Sequence, residues 1–167
     1  MTGYAGAEGT VKTALAKREI LGGRFSPSYI DRILNIPVAD EQDSETVTDI
    51  ARRMQSDREE QLFIVRSGEG GIYAALWRLG EMTGCGMKVC HRDIPILQET
   101  IEVCNLLDIN PYEMDDCGCM LMVTDTPGEL IDELDTADIP AADIGCLTSE
   151  RKRVIINGEN ERFLSRG

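Results

Sequence analysis

The apolar run Leu62-Phe63-Ile64-Val65 passes through Arg66 into Ser67-Gly68-Glu69-Gly70-Gly71. An amphipathic segment from Ile72 to Trp77 follows at once. This order predicts a strand, a tight glycine turn and a helix, and few folds place such a junction anywhere but at the end of a sheet. Glycines there let the backbone approach a ligand closely, and a helix start presents unpaired N–H groups to an anion such as phosphate. The same glycines can serve only to relieve sterics in a tight turn, so the pattern by itself leaves both roles open.

The flanking sequence fills in an α+β chain. A charged helix is expected around Val11–Leu21, ended by Gly22-Gly23. Ser26-Pro27 is a helix start, with serine as cap and proline in the first turn, and Pro37 stops that helix. In Ala39–Asp57 the spacing of Val47, Ile50, Ala51 and Met54 predicts a surface helix with one apolar stripe. After the strand at Leu62–Val65 comes a helix from Gly71 to Met82, closed by Gly84 and Gly86. Met87–His91 alternates like a strand, and Pro95 opens a helix over Ile96–Leu107 that buries Leu97, Ile101, Cys104 and Leu107. Asn110-Pro111-Tyr112 is a turn, Cys119–Thr124 a buried strand, and Thr126-Pro127 a helix start with Leu130, Ile131 and Leu134 on one side. Ala141–Leu147 and Arg153–Asn157 read as the two strands of a hairpin, followed by a turn at Asn157-Gly158 and a tail, Glu161–Gly167. The expected architecture is a mixed or antiparallel sheet of about four strands packed with helices.

Charge limits the partners. Thirty acidic and 17 basic residues give a net charge of −13, which opposes nucleic acid and anionic membrane surfaces. An anionic ligand would need a local concentration of N–H groups or arginines. At 167 residues and 42% hydrophobic the chain suits one domain, or one domain with an appended arm. No apolar run reaches membrane-spanning length, and Met-Thr-Gly-Tyr-Ala-Gly has no signal-peptide character, so a cytoplasmic protein with reduced thiols is expected.

Other chemistry-bearing residues are sparse. Neither Cys85 with Cys90-His91 nor Cys117-Gly118-Cys119 has the paired spacing of a zinc site, and His91 is the only histidine. Cys104 and Cys146 lie in apolar contexts and read as core thiols. Asp115-Asp116 could hold magnesium beside phosphates, but without a third ligand in view the expectation is a solvated pair. Arg66 could meet a phosphate or carboxylate; a surface charge at a strand end is the plainer reading.

Taken in order, several segments resemble the C-terminal domain of the aminoimidazole ribonucleotide (AIR) synthetase superfamily, which includes hydrogenase maturation factors, thiamine monophosphate kinase and selenophosphate synthetase. They are Gly70-Gly71-Ile72-Tyr73-Ala74-Ala75-Leu76-Trp77 with Gly84-Cys85-Gly86, then Ile94-Pro95-Ile96 with Glu99-Thr100. Leu106-Leu107-Asp108-Ile109-Asn110-Pro111-Tyr112 and Cys117-Gly118-Cys119-Met120-Leu121-Met122-Val123 follow. Thr2-Gly3-Tyr4-Ala5-Gly6-Ala7-Glu8-Gly9-Thr10 resembles the segment joining the two domains in hydrogenase-maturation-like members.

The resemblance implies an arm over residues 1–25 and a domain over residues 26–167. It implies that Ser67, Gly68, Glu69, Gly70 and Gly71 form a phosphate-facing loop. ATP and Mg2+ would then bind only together with an N-terminal half that carries most of the catalytic apparatus, and the chain would pair with that half or with itself as a homodimer. Two departures stand out. The family reads Asp-x-Thr-x-Gly-Gly where this chain has Arg66-Ser67-Gly68-Glu69-Gly70-Gly71, and the terminal cysteine of the hydrogenase maturation factor is not matched by Leu164-Ser165-Arg166-Gly167. Two readings follow: the C-terminal half of an ATP-dependent enzyme, or a non-catalytic binding or regulatory module that keeps the fold.

Overall fold

The computed structural model describes residues 1–55 and 62–165. The helices are α1 (Ala7–Ala16), α2 (Arg18–Gly22), α3 (Pro27–Leu34), α4 (Glu41–Gln55), α5 (Gly71–Thr83), α6 (Gln98–Leu107) and α7 (Pro127–Thr136). The strands are β1 (Ile64–Arg66), β2 (Gly86–Cys90), β3 (Met120–Met122), β4 (Gly145–Thr148), β5 (Arg153–Asn157) and β6 (Asn160–Phe163). The fold is α+β, as expected. β1 and β3 form an antiparallel pair, and a mixed sheet of four strands runs in the order β4-β2-β5-β6.

Residues 1–3 lie between the two sheets. Thr2 bridges Met120 on one side and Ala141 on the other. The Thr2 N–H reaches Met120 O at 2.9 Å, Gly3 N–H reaches Pro140 O at 2.9 Å, and Ala142 N–H reaches Met1 O at 2.9 Å. Buried backbone groups need such partners, so these bonds join β3 to the segment entering β4. The following helix, α1, packs with α3 and α6 through Ala7, Ala14, Leu21, Ile30, Ile33 and Val103. Residues 1–22 are thus woven into the domain.

Two further apolar clusters complete the interior. Ile72, Leu76 and Leu79 of α5 pack on Val65, Met87 and Ile155 from both sheets. The stripe expected on α4 buries Val47 and Ile50 against Leu130 and Leu134 of α7. Burial of each such side chain contributes about 1.5–3 kcal/mol. The sequence-predicted end of α4 at Asp57, and Arg166-Gly167 of the tail, fall outside the described residues.

Several local expectations are corrected. Ala141–Leu147 and Arg153–Asn157 do not form a hairpin, because β2 lies between β4 and β5, antiparallel to the first and parallel to the second. The hairpin is instead β5–β6, with Asn157 opposite Asn160 across the Gly158-Glu159 turn, so part of the supposed tail is an edge strand. α6 buries Thr100, Val103 and Cys104, whereas Leu97, Ile101 and Leu107 are half-buried. The helix begins at Gln98, two residues later than expected, with Leu97 as its N-cap. Cys146 is exposed on the edge strand β4 and is no core thiol.

Gly86 shows why the resemblance's glycines need not be functional. A Cβ there would lie 1.8 Å from Glu150 O and 2.4 Å from Lys152 O, in the connection that carries the chain from β4 to β5. Overpacking against backbone cannot relax by a rotamer change. Gly86→Ala should therefore lower unfolding free energy by about 3 kcal/mol in a denaturant titration; an unchanged midpoint would contradict this packing.

Candidate functional site

The glycine loop sits where β1 meets α5, beside the loop over residues 110–119. Ser67 is buried, and its main-chain N–H and its hydroxyl both donate to Cys119 O, at 2.8 and 3.0 Å. The hydroxyl also accepts from Cys119 N–H at 3.1 Å. Ser67 therefore extends the β1–β3 ladder with its side chain. Gly68 O accepts from Gly71 N–H at 3.0 Å and from Asp116 N–H at 3.2 Å. Among the described residues, no partner takes the N–H groups of Gly68 and Glu69. The loop tip, with Glu69 exposed, is the part that still faces outward.

The helix start behind the tip is closed. Gly70, the N-cap of α5, has φ 75°, and Gly71 follows at φ 62°, a region glycine enters without strain. A Cβ on Gly71 would lie 2.6 Å from Met114 O and 2.7 Å from Tyr112 O, so the two loops are in backbone contact. Gly70 N–H donates to Asp115 Oδ1 at 2.9 Å, and Tyr73 N–H donates to Tyr112 O at 3.2 Å. The Asp115 carboxylate thus stands where an external anion would meet the positive end of the helix.

Its neighbour does the same for α1. Gly6 is the N-cap of α1 at φ 70°, and its N–H donates to Asp116 Oδ2 at 2.9 Å. Asp116 also accepts from Gly118 N–H at 2.9 Å and from the Cys119 thiol at 3.3 Å. It is 2% exposed, which corrects the expectation of a solvated pair: only Asp115 is exposed. Burial raises the Asp116 pKa above the ordinary carboxylate range, although its three hydrogen bonds oppose the shift. Burial also pushes the Cys119 thiol up, with the Asp116 charge adding to it, and lifts Cys104 to about 11. Both are inert thiols at neutral pH.

The charged residues near the loop have local duties. Arg66 is exposed but donates from Nε to Cys117 O at 2.7 Å, so it ties the strand end to the 110–119 loop. Arg78 donates to Arg66 O at 3.0 Å. Glu8 accepts from Cys117 N–H at 2.7 Å and pairs with Lys12, whose hydrogen bond is the largest cause of its lowered pKa. His91 lies against Tyr112 with ring centroids 4.5 Å apart, and Tyr112 stacks on Tyr73. Burial lowers the His91 pKa, with the Arg162 charge second, so the imidazole is neutral at pH 7. No group of three His, Cys, Asp or Glu side chains suited to a metal ion occurs among the described residues.

The structure therefore brings Ser67–Gly71 together with Asp115 and Asp116, a link hidden in sequence by a separation of more than forty residues. The only signal for it was the pairing of a Gly-Gly helix start with a later Asp-Asp. Cys119 joins this site through its backbone bonds to Ser67 and its thiol bond to Asp116, whereas no hydrogen bond ties Cys85, Cys90 or His91 to the glycine loop among the described residues.

No protein-family model and no curated protein matches this sequence. Solved structures do match its fold. A hydrogenase maturation protein HypE in complex with ATP superposes with a TM-score of 0.69 at 17% identity, over 98% of this chain and 48% of that one. HypE from E. coli gives 0.66 at 15% identity, over 99% and 48%. A HypE–HypF complex gives 0.62 at 15% identity, over 73% and 41%. The chain thus has the AIR synthetase-like fold of HypE and spans about half the length of the HypE chains it matches.

Two substitutions separate the roles of the acidic pair. Asp116→Ala leaves the buried Gly6 N–H and the half-buried Gly118 N–H unpaired and should cost about 3 kcal/mol, whereas Asp115→Ala removes one exposed cap bond and should cost about 1 kcal/mol. Equal losses in urea titrations would contradict the assignment. Because the folded-state pKa of Asp116 is raised, its contribution is fully present below the ordinary carboxylate pKa and is lost as pH rises through the folded value. Wild type should therefore gain stability relative to Asp116→Asn as pH falls from 7 towards 4; a difference that shrinks or stays flat over that window would contradict the buried carboxylate.

Proposed function

We propose that this chain is the C-terminal-type half of an ATP-dependent enzyme of the hydrogenase-maturation-factor kind, active only when joined to an N-terminal-type half. The observation that carries this reading is the end-to-end match to half of an ATP-bound HypE, 98% of this chain against 48% of that one. In this reading residues 1–25 are the joining arm, already seated through Thr2 and Gly6, and residues 26–167 are the domain. ATP and Mg2+ are held by the other half in the cytoplasm, and the loop Ser67–Gly71 lines the phosphate end of the shared site.

The geometry divides the labour within that site. The N–H groups of Gly70 and Gly71 are already taken by Asp115 and Gly68, so an incoming phosphate is met by the backbone of Gly68 and Glu69. A second reading, a non-catalytic module that binds or regulates a partner or a second copy, is favoured by the same contact. A carboxylate at the helix start and an arginine in place of the family's acidic residue both weaken nucleotide chemistry at this loop.

Mixing the chain with the half of HypE that it does not cover, supplied as a separate polypeptide, should give Mg2+-dependent ATP hydrolysis. Gly70→Asp should lower that rate at least tenfold, about 1.4 kcal/mol, by adding a charge and a side chain where φ is positive. Hydrolysis that never exceeds that of the added half alone would overturn the enzyme reading. Co-purification without hydrolysis would support the module.

A further inference from the structure

The chain contains one Asn-Gly pair, Asn157-Gly158, and the fold places it at the tip of the β5–β6 hairpin. Asn157 pairs with Asn160 across the turn Gly158-Glu159. The φ angle is 63° at Gly158 and is not positive at Glu159, the pattern of a II′ turn with glycine first. Residues 157–163 are all exposed, and β6 is the outer strand of its sheet. Exposed hairpin ends of this kind open at low free energy. Gly158 has no Cβ to shield its main-chain nitrogen, and among the described residues no partner takes its N–H.

A cation stands beside the turn. A Cβ on Gly158 would lie 3.6 Å from Arg92 Nη2, and no carboxylate pairs with Arg92 among the described residues. Asp93 and Glu159, the acids next to Arg92 and Gly158 in sequence, are exposed. An amide nitrogen that has lost its proton is anionic, and so is a newly made carboxylate. The guanidinium favours both.

We propose that Asn157 is a modification site, at which the hairpin turn converts asparagine to isoaspartate and thereby loosens β6. Asparagine is among the chemically labile residues. The Gly158 nitrogen, its proton passed to water, attacks Asn157 Cγ. The N–Cγ bond forms, the Cγ–Nδ2 bond breaks, and ammonia leaves with a proton from water. A second water then opens the cyclic imide. Opening at the main-chain carbonyl gives isoaspartate, whose backbone runs through Cγ with an added methylene; opening at Cγ gives aspartate. Overall one water is consumed and one ammonia released, and nothing is oxidised or reduced.

The added methylene falls just before a turn whose length sets the strand register. Leu164 anchors the far end of β6: it is 5% exposed, and its N–H donates to Arg153 O at 2.9 Å. The misfit is therefore taken up between Asn160 and Arg162. Arg162 donates to the Tyr73 hydroxyl, and its guanidinium lies 5.3 Å from the Tyr73 ring centre. Tyr73 belongs to the first turn of α5, so a change at the hairpin tip reaches the helix behind the glycine loop. This inference does not depend on the nucleotide reading.

Peptide mapping of the full chain, held folded at mildly alkaline pH, tests the site. Isoaspartate should accumulate at residue 157 ahead of every other asparagine, at a rate within about tenfold of the same chain in urea. Arg92→Gln should slow the conversion about fivefold, the effect of one charge about 4 Å away in water. The Arg162 amide, paired with Ile155 of β5, should exchange faster in the isoaspartyl chain. In Asn157→Asp, which gains the charge but no methylene, it should stay protected. No isoaspartate at residue 157 in the folded chain, over a time in which the unfolded chain converts, would overturn the site. An unchanged rate in Arg92→Gln would overturn the part given to the guanidinium, and unchanged Arg162 exchange in the isoaspartyl chain would overturn the loosening of β6.

Discussion

Two adjacent carboxylates hold two helix starts. Asp116 takes the N–H of Gly6 at the head of α1, and Asp115 takes the N–H of Gly70 at the head of α5. Both N-caps are glycines with positive φ and no side chain of their own to offer. The cap that a Ser or Asp would normally supply locally comes from the 110–119 loop. One dipeptide therefore fixes the first turn of the chain, the glycine loop and the loop between α6 and β3 relative to one another. Because Asp116 is buried, this arrangement cannot be exchanged for water at little cost.

How much of this was legible depended on whether the determining interaction was local. The strand–turn–helix at 64–83, the Ser26 cap and the apolar stripe of α4 all follow from neighbouring residues, and the structure contains them. The sheet order was not legible. Placing β2 between β4 and β5 depends on a parallel pairing of residues some sixty apart, and a short apolar run carries no sign of its neighbour. The inner face of α6 was misread because the larger apolar side chains were taken to mark it, whereas the helix turns Thr100 and Val103 inward beside Cys104 and leaves Leu97, Ile101 and Leu107 at the edge. The acidic pair was misread because adjacency in sequence suggested common exposure. The two side chains diverge: Asp115 is exposed, and Asp116 points inward.

The resemblance leads one to expect a phosphate-facing loop at Ser67–Gly71, and the structure shows how the hydrogen-bonding groups of that loop are used. Internal hydrogen bonding then decides which donors remain. Ser67 is committed to β3, Gly70 to Asp115, and Gly71 to the turn, which leaves the tip. A local helix dipole already neutralised by a carboxylate has little left for a second anion. In a chain of net charge −13, the surrounding field does not compensate. Under the proposal of a companion half, this chain would contribute shape and a rigid loop, and most of the nucleotide's ligands would come from the other half.

Amide hydrogen exchange by NMR tests the acidic clamp most directly, because it reads each N–H separately. If Asp115 and Asp116 hold the two helix starts, the amides of Gly6 and Gly70 are protected in the native chain, while those of Gly68 and Glu69 exchange nearly as fast as in an unfolded peptide. Gly70 exchanging as freely as Gly68 would contradict the account, since the helix start would then be open to an external anion.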